Sequence, residues 1–312
     1  MKNKWFVVIN PTSGNGSSKK KWPLINNELK KQNFQFEFSI TQYQKHSIIL
    51  IQNAIKQGFN KFICVGGDGT LHNVVNAILE LKNLTPHYKQ SEIKVGIIPI
   101  GTGNDWIKTY KISKDYKKAI QTLKEENYIQ QDIGKIILQN TKKEIYFNNL
   151  AGIGFDAHVV NKVNKYKNLG YLAYLTGALA GLTSYKKPTL EILFNNKILK
   201  TKTLMLLIGL CKYSGGGMQL TKNVTINDGL FDISFIKKIT LLTLLLNIKG
   251  LFNGKITNHK LVNNYKTSEL KIEVLNNEKA YIQADGELIG SGNFHVSILE
   301  KAINFIVPFN KS

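Results

Sequence analysis

Residues 62–65, Phe-Ile-Cys-Val, form an unbroken apolar run that passes directly into Gly66-Gly67-Asp68-Gly69-Thr70. Apolar residues then recur at helical spacing, at Leu71, Val74, Val75, Ile78 and Leu79. A buried strand that turns into a helix through three glycines leaves few folds open. Glycines at such a turn let a bulky anion approach the backbone, and a helix N-terminus adds unpaired N–H groups and partial positive charge. Asp68 there would repel a bare phosphate. A divalent cation between carboxylate and phosphate removes that conflict, so the segment points to magnesium–nucleotide chemistry. The alternative for Asp68 is a helix N-cap, a position that aspartate favours.

Two more turns of this kind occur. Asn10-Pro11-Thr12-Ser13-Gly14-Asn15-Gly16 follows the apolar residues 5–9, and Pro99-Ile100-Gly101-Thr102-Gly103-Asn104-Asp105 follows residues 95–98. One Gly-rich loop is weak evidence, because ordinary turns use the same residues. Three loops, each just past a hydrophobic run, imply one ligand edge at the strand C-terminal ends of an open α/β sheet. Strand-like residues 5–9, 34–40, 61–65 and 94–99 alternate with helical patterns such as 47–57, which predicts a parallel sheet covered by helices. After about residue 128 strands follow one another, at 131–137, 144–151, 189–194, 197–211, 229–236, 269–275, 280–284, 287–289 and 293–298. Asn195-Asn196, Asn276-Asn277 and Asp285-Gly286 read as hairpin turns. Helical insertions are expected at 156–182 and 240–253.

The ordered motifs Asn10-Pro-Thr-Ser-Gly14, Gly66-Gly-Asp-Gly-Thr70 and Gly101-Thr-Gly-Asn-Asp105 resemble those of the soluble lipid kinase family. That family includes bacterial diacylglycerol kinases and the catalytic domains of diacylglycerol, sphingosine and ceramide kinases. Gly152-Ile-Gly-Phe-Asp156, Gly215-Gly-Gly217, Asn227-Asp-Gly-Leu230 and Ala284-Asp-Gly-Glu287 extend the likeness over nearly the whole chain. The resemblance implies an α/β N-terminal domain of the phosphofructokinase/NAD kinase type, with a parallel sheet and helices, and an all-β sandwich-like C-terminal domain. The boundaries expected are 1–127, with a returning strand at about 299–312, and 128–298.

The resemblance further implies an ATP-dependent lipid kinase that moves the γ-phosphoryl group to the hydroxyl of diacylglycerol or a related lipid. ATP would be held by Asn10, Pro11, Thr12, Ser13, Gly14, Thr41, Gly66, Gly67, Asp68, Gly69, Thr70, Leu71, His72, Thr102 and Asn104. Asp105 would face the substrate or cap the following helix. Asp68, Asp285 and Glu287 would be catalytic, with either of the last two as the base that takes the lipid proton. Read by itself, Asp285-Gly286 is equally a type I′ turn. Mg²⁺ would be linked to Asp68 and Asp132, and a second, structural Mg²⁺ would sit on Asp228 and the carbonyls of Thr225 and Leu230. The main enzymatic rival is an NAD kinase, which shares Gly-Gly-Asp-Gly-Thr. Its downstream Asn-Glu and Thr-Pro-Thr-Gly-Ser segments have no counterpart here. A nucleotide or lipid sensor without turnover is the rival outside the enzymes.

The chain has 312 residues, 43% of them hydrophobic, and a formal net charge of +21. Every one of its basic side chains other than histidine is lysine. Such charge suits anionic membranes or polyphosphates, although the base composition of a genome also yields it. Lysine reads bases and phosphates poorly in the bidentate sense, which argues against a specific nucleic-acid partner. Without arginine, charge at a transferring phosphate must be met by Mg²⁺, lysine and backbone N–H groups. Met1-Lys2-Asn3-Lys4 leads straight into a strand and does not read as a signal peptide. No apolar stretch is long enough to span a bilayer. Cys64 and Cys211 sit in apolar runs and read as buried free thiols. The expectation is a cytoplasmic protein, peripherally associated with the inner face of the membrane, with a homodimer left open. Tyr171, Leu172, Tyr174, Leu175, Leu179 and Leu182, flanked by Lys162, Lys165, Lys167, Lys186 and Lys187, are the candidate contact with anionic lipid. The same pattern fits a buried helix.

Overall fold

A computed structural model describes residues 4–82, 92–163, 181–182, 185–237, 240–276 and 278–309. The chain divides into two compact units, Met1–Gln131 with Lys301–Ser312, and Asp132–Glu300.

The first unit alternates strand and helix. Its elements run β1 (Trp5–Ile9), α1 (Ser17–Lys31), β2 (Phe36–Ile40), α2 (His46–Lys56), β3 (Lys61–Gly66), α3 (Asp68–Lys82), β4 (Lys94–Pro99), α4 (Asp105–Thr109) and α5 (Tyr116–Glu125). The strands pair in the order β2-β1-β3-β4, all parallel. The C-terminal end of the last strand joins the far edge, where Asn304 and Phe305 pair parallel with Lys94 and Val95. Strands β1, β3 and β4 are buried along almost their whole length, as expected of a sheet covered on both faces. Trp5, Val7, Ile9, Ile63, Val65 and Ile98 on one face meet Trp22, Ile25 and Leu29 of α1 and Ile120 and Leu123 of α5. The chain reverses its winding between β1 and β3, the switch point at which such sheets bind ligands beyond the strand C-termini.

The second unit is antiparallel. Strand β5 (Tyr128–Leu138) enters it from the first unit, followed by β6 (Glu144–Phe147), β7 (Leu150–Gly154), α6 (Phe155–Val163), β8 (Thr189–Phe194), β9 (Lys197–Lys202), β10 (Met205–Gly209), β11 (Tyr213–Ser214), β12 (Met218–Gln219) and β13 (Phe231–Ile236). Helices α7 (Leu241–Leu246) and α8 (Ile248–Asn253) and the 3₁₀ turn Lys255–Asn258 come next. Strands β14 (Val262–Thr267), β15 (Glu269–Val274), β16 (Tyr281–Ala284), β17 (Glu287–Ser291) and β18 (Phe294–Ile306) complete the chain. One sheet has the order β14-β13-β10-β7-β16-β17, and β18, β15, β8 and β9 pair in succession in the other. Phe147, Ile153, Ile208, Phe231, Ile272, Ile282, Phe294 and Val296 share the core of this sandwich.

The expected architecture stands, with four local differences. The run 144–151 is two strands, because the chain breaks at Asn148 and Asn149. The run 197–211 is also two: β9 pairs with β8 in one sheet, and β10 with β7 and β13 in the other. Residues 293–298 and the returning segment are one strand, β18, with Lys301 at a positive φ of 48° where it leaves the sandwich. β14, with its polar sequence VNNYKT, carried no strand signal; it forms by pairing with β13 at the sheet edge. The expected helical insertion at 240–253 is present as α7 and α8. Of the one at 156–182, residues 155–163 and 181–182 are helical and the rest lies outside the described residues. Cys64 and Cys211 are buried free thiols, and burial pushes the Cys64 thiol well above its usual range.

Candidate active site

The first unit brings its three Gly-rich turns together at the strand C-termini. Asn10, just past β1, donates from Nδ2 to Thr70 Oγ1 at 3.2 Å. Its Oδ1 accepts from the Thr12 hydroxyl at 2.8 Å and the Thr12 N–H at 3.2 Å. The first loop is thereby tied to the first turn of α3. The Ile100 N–H donates to the Gly66 carbonyl at 2.8 Å, which ties the third loop to the second. Thr41, at the end of β2, donates its N–H to the Ile9 carbonyl at 2.8 Å and so flanks the same edge.

Asp68 sits at the centre. The N–H of Asp105 donates to its Oδ2 at 3.0 Å, and the N–H of Trp106 to its Oδ1 at 3.2 Å. The capping alternative is thus met in an unexpected form: Asp68 caps α4, 37 residues away in sequence, rather than only its own helix. A Cβ placed on Gly67 would stand 3.2 Å from the Gly101 Cα, and one on Gly103 would stand 3.2 Å from Asp68 Oδ2. Only glycines allow these turns to approach so closely. Asn104 is held in the left-handed region, φ 48°, with its Nδ2 donating to the Gly101 carbonyl at 2.8 Å. Its buried Oδ1 has no hydrogen-bond partner. A buried acceptor beside an aspartate, in a cradle that side chains would fill, fits a cation-bound phosphate. Asp105 is buried and takes the Lys108 ammonium at 2.7 Å. Trp106 and Tyr110 both donate to Gln131 Oε1, at 2.9 and 2.6 Å, and so anchor α4 from behind.

Not every expected contact reaches this edge with a side chain. Leu71 is fully buried and packs in the core, so it offers the ligand only backbone. His72 is buried against Asn76, whose Nδ2 lies 3.3 Å from its Nε2. Thr102 is exposed, and Pro11, Ser13 and Gly14 lie in the turn before α1.

The second unit holds the other acids. Asp285 (φ 50°) and Gly286 (φ 79°) make the tight turn between β16 and β17, with Ala284 opposite Glu287. The turn reading of this pair is therefore correct, and it carries more than a turn needs. Asp285 accepts three backbone N–H groups: Asn148 on Oδ2 at 3.1 Å, and Asn149 and Leu150 on Oδ1 at 2.9 and 3.2 Å. This contact interrupts the strand at 148–149. Gln283 Oε1 accepts the Gly286 N–H at 2.9 Å, while its Nε2 donates to Asp156 Oδ2 at 3.0 Å. Burial raises the Asp156 carboxyl to about 6, partly offset by the Gln283 bond. A Cβ on Gly152 would come within 2.1 Å of Asp156 Oδ2, so the glycine is what admits this carboxylate.

Asp156 and Gln283 line an apolar pocket of the sandwich unit, walled by Phe155, Leu204, Leu207, Leu251, Phe252 and Ile256 among others. About 1150 Å³ of empty space lies in it, open mouth included. Sequence reasoning quoted Asp156 in a motif without giving it a role, and it passed over Gln283 and residues 148–150. The signal available was Gly152 four positions before an acid.

Asp132 is fully buried and accepts the Gly229 N–H on Oδ2 at 2.8 Å. Asp228 takes the Leu230 N–H on Oδ1 at 3.2 Å and the Lys266 ammonium on Oδ2 at 2.8 Å. The Asp228 bond and the nearby Asp232 hold the Lys266 ammonium above its usual range. A second cation is expected on Asp228, Thr225 and Leu230; here the Asp228 carboxylate pairs with Lys266.

Residues 4–136 match the diacylglycerol kinase catalytic domain, and residues 149–307 match the YegS C-terminal NAD kinase beta sandwich-like domain. A diacylglycerol kinase of Bacillus subtilis is 27% identical over 309 residues, covering 98% of this chain and 97% of the relative. A diacylglycerol kinase of Staphylococcus carnosus is 28% identical, covering 99% and 96%. A crystal structure from Bacillus anthracis, described as of a diacylglycerol kinase, superposes with a TM-score of 0.72 at 18% identity, covering 98% of this chain and 97% of that one. The glycine cradle around Asp68 and the acid-bearing sandwich thus stand on the two domains of a known pair, and the chain belongs to the diacylglycerol kinase catalytic-domain family with a YegS-type C-terminal domain.

Proposed function

We propose that this protein is an ATP-dependent lipid kinase that phosphorylates the hydroxyl of diacylglycerol or a closely related lipid alcohol. The observation that carries the reading is the Asp68 cradle: an aspartate fixed by two backbone N–H groups, three close-packed glycines, and the unpartnered Oδ1 of Asn104. Asp68 and Asn104 Oδ1 would hold the metal, and bound Mg²⁺ would supply charge neutralisation for phosphoryl transfer. Asn10, cross-linked to Thr70, fixes the first loop so that its backbone N–H groups meet phosphate oxygens.

The sandwich unit supplies the acceptor side. An apolar pocket with a few buried polar groups suits a lipid whose single hydroxyl must be oriented. Asp285 spends its carboxylate on three N–H groups and acts as a positioning residue. Glu287, two residues on along the same hairpin, is assigned as the base that takes the lipid proton. The substrate requires a peripheral encounter with a membrane surface, and the excess of lysine favours an anionic one.

A panel of diacylglycerol, phosphatidylglycerol, a sphingoid base and an isoprenoid alcohol in mixed micelles, with labelled ATP and Mg²⁺, tests the assignment. Label should enter diacylglycerol or its nearest analogue and should not do so in chelator. Transfer to NAD instead, or no transfer to any lipid, would overturn it.

A further inference from the structure

The region between β13 and β15 has a composition unlike the rest of the chain. Residues 233–268 contain six lysines, Lys237, Lys238, Lys249, Lys255, Lys260 and Lys266, and no acidic residue. Lys266 is taken up by Asp228. Lys237, Lys249, Lys255 and Lys260 are all exposed. Between them stands α7, on which Leu242 and Leu246 are 66% and 76% exposed. Four residues apart on a helix, they lie on one face. Two bare leucines on one face cost free energy in water, and lysines alone would not require them. Leucines flanked by unopposed cations form the pattern of an element that enters an anionic bilayer.

The same segment continues into the apolar pocket. Leu251 and Phe252 of α8, Ile256 and Thr257 of the 3₁₀ turn, and His259, Leu261 and Val262 after it all line the cavity. Gln219 holds α8 in place by donating from Nε2 to the Phe252 carbonyl at 2.6 Å. One stretch of two short helices therefore carries exposed leucines at one end and pocket wall at the other.

We propose that residues 240–260, together with Lys237, form the docking element of this protein on an anionic bilayer, with Leu242 and Leu246 inserted among the acyl chains. Lys237, Lys249, Lys255 and Lys260 lie at the headgroups, and the α8 wall leads a lipid chain from the leaflet into the pocket. This inference rests on the lipid reading for the chain's passage into the pocket, but not for the docking itself. Most of the segment first considered for membrane contact, residues 169–182, lies outside the described residues. Its last residue, Leu182, packs against the buried Phe155, Val159, Leu204 and Ile236.

Sedimentation of the full chain with vesicles of phosphatidylcholine alone, or with added phosphatidylglycerol, tests this. The wild type should partition onto the phosphatidylglycerol vesicles and leave them at high salt. The double variant Leu242→Gln, Leu246→Gln should lose roughly tenfold or more in partition coefficient at low salt. The triple variant Lys249→Gln, Lys255→Gln, Lys260→Gln should lose about as much and should respond more weakly to salt than the wild type. Turnover of a short-chain, water-soluble diacylglycerol by the leucine variant should match the wild type, which shows that it is folded. Wild-type protein that ignores anionic vesicles, or variants that bind as the wild type does, would overturn the docking element. Docking that depends on these residues in a protein that phosphorylates no lipid would leave the element standing and bring down the kinase reading alone.

Discussion

Two aspartates, each followed by glycine, anchor the two units in opposite ways. Asp68 is held by N–H groups 37 and 38 residues away, at the start of the short helix α4, within a single βαβ neighbourhood. Asp285 is held by N–H groups 135 to 137 residues away, in a strand break that nothing local predicts. Both carboxylates neutralise backbone donors. Each has a neighbouring asparagine whose buried Oδ1 has no partner, Asn104 for the first and Asn149 for the second, but only Asp68 lies among close-packed glycines that keep side chains out. A carboxylate enclosed by strand backbone braces the fold. One set in a cradle of glycines leaves room for a bulky anion.

The sharpest test of this contrast compares like substitutions. Asp68→Asn and Asp285→Asn each turn one backbone N–H toward an amide N–H, so each should lose about 1–3 kcal/mol in urea unfolding. Turnover should then separate them, falling roughly 10³-fold for Asp68→Asn and about tenfold for Asp285→Asn. Equal losses of turnover would erase the distinction. Next in size is Glu287→Gln, which should lower kcat by about 10²-fold or more. If Asp285→Asn proves the slower enzyme of these two, the base has been placed on the wrong acid.

Two further changes probe the buried acid of the sandwich. Gly152→Ala puts a methyl group 2.1 Å from Asp156 Oδ2 and 3.1 Å from the Leu206 carbonyl oxygen. It should destabilise the protein by on the order of 3 kcal/mol, read from chemical denaturation. Asp156→Asn should act oppositely at neutral pH. Burial raises the folded carboxyl to about 6, above its unfolded value, so the folded state binds the proton more tightly. That contribution is complete below about pH 4 and is lost as pH rises through about 6. The asparagine variant should therefore be less sensitive to pH between 4 and 8, and about 2 kcal/mol more stable than the wild type at pH 8. A wild-type stability that does not fall over that interval would show that Asp156 titrates normally.

Much of the first unit could be read directly from the chain. Its strands are apolar throughout because both faces are covered, and each ends in glycines that serve the same edge, so pattern and position coincide. The Gly66–Thr70 turn pointed to Asp68 through composition alone. The Gln131 contacts that hold α4 in place had no such signal, because they link Trp106 and Tyr110 to a residue of a different strand. In the second unit legibility was lower. The run 144–151 reads as one strand because its residues are strand formers, yet three N–H groups there are claimed by Asp285 and the ladder breaks. VNNYKT reads as loop because an edge strand has only one partner to satisfy and tolerates polar residues on its open side.

What the chain by itself determined is the order of layers and the identity of the Gly-rich turns at the strand C-termini, since these follow from local periodicity and from the unique steric latitude of glycine. Only the tertiary structure decided which acid is braced, which is buried against Gln283, and that Lys266 is the ammonium that pairs with Asp228. Those outcomes depend on donors brought close from distant strands. Hydrogen bonds and ion pairs are short-ranged, so residues far apart in sequence acquire their chemistry only when the fold sets them within 3 Å or so of each other.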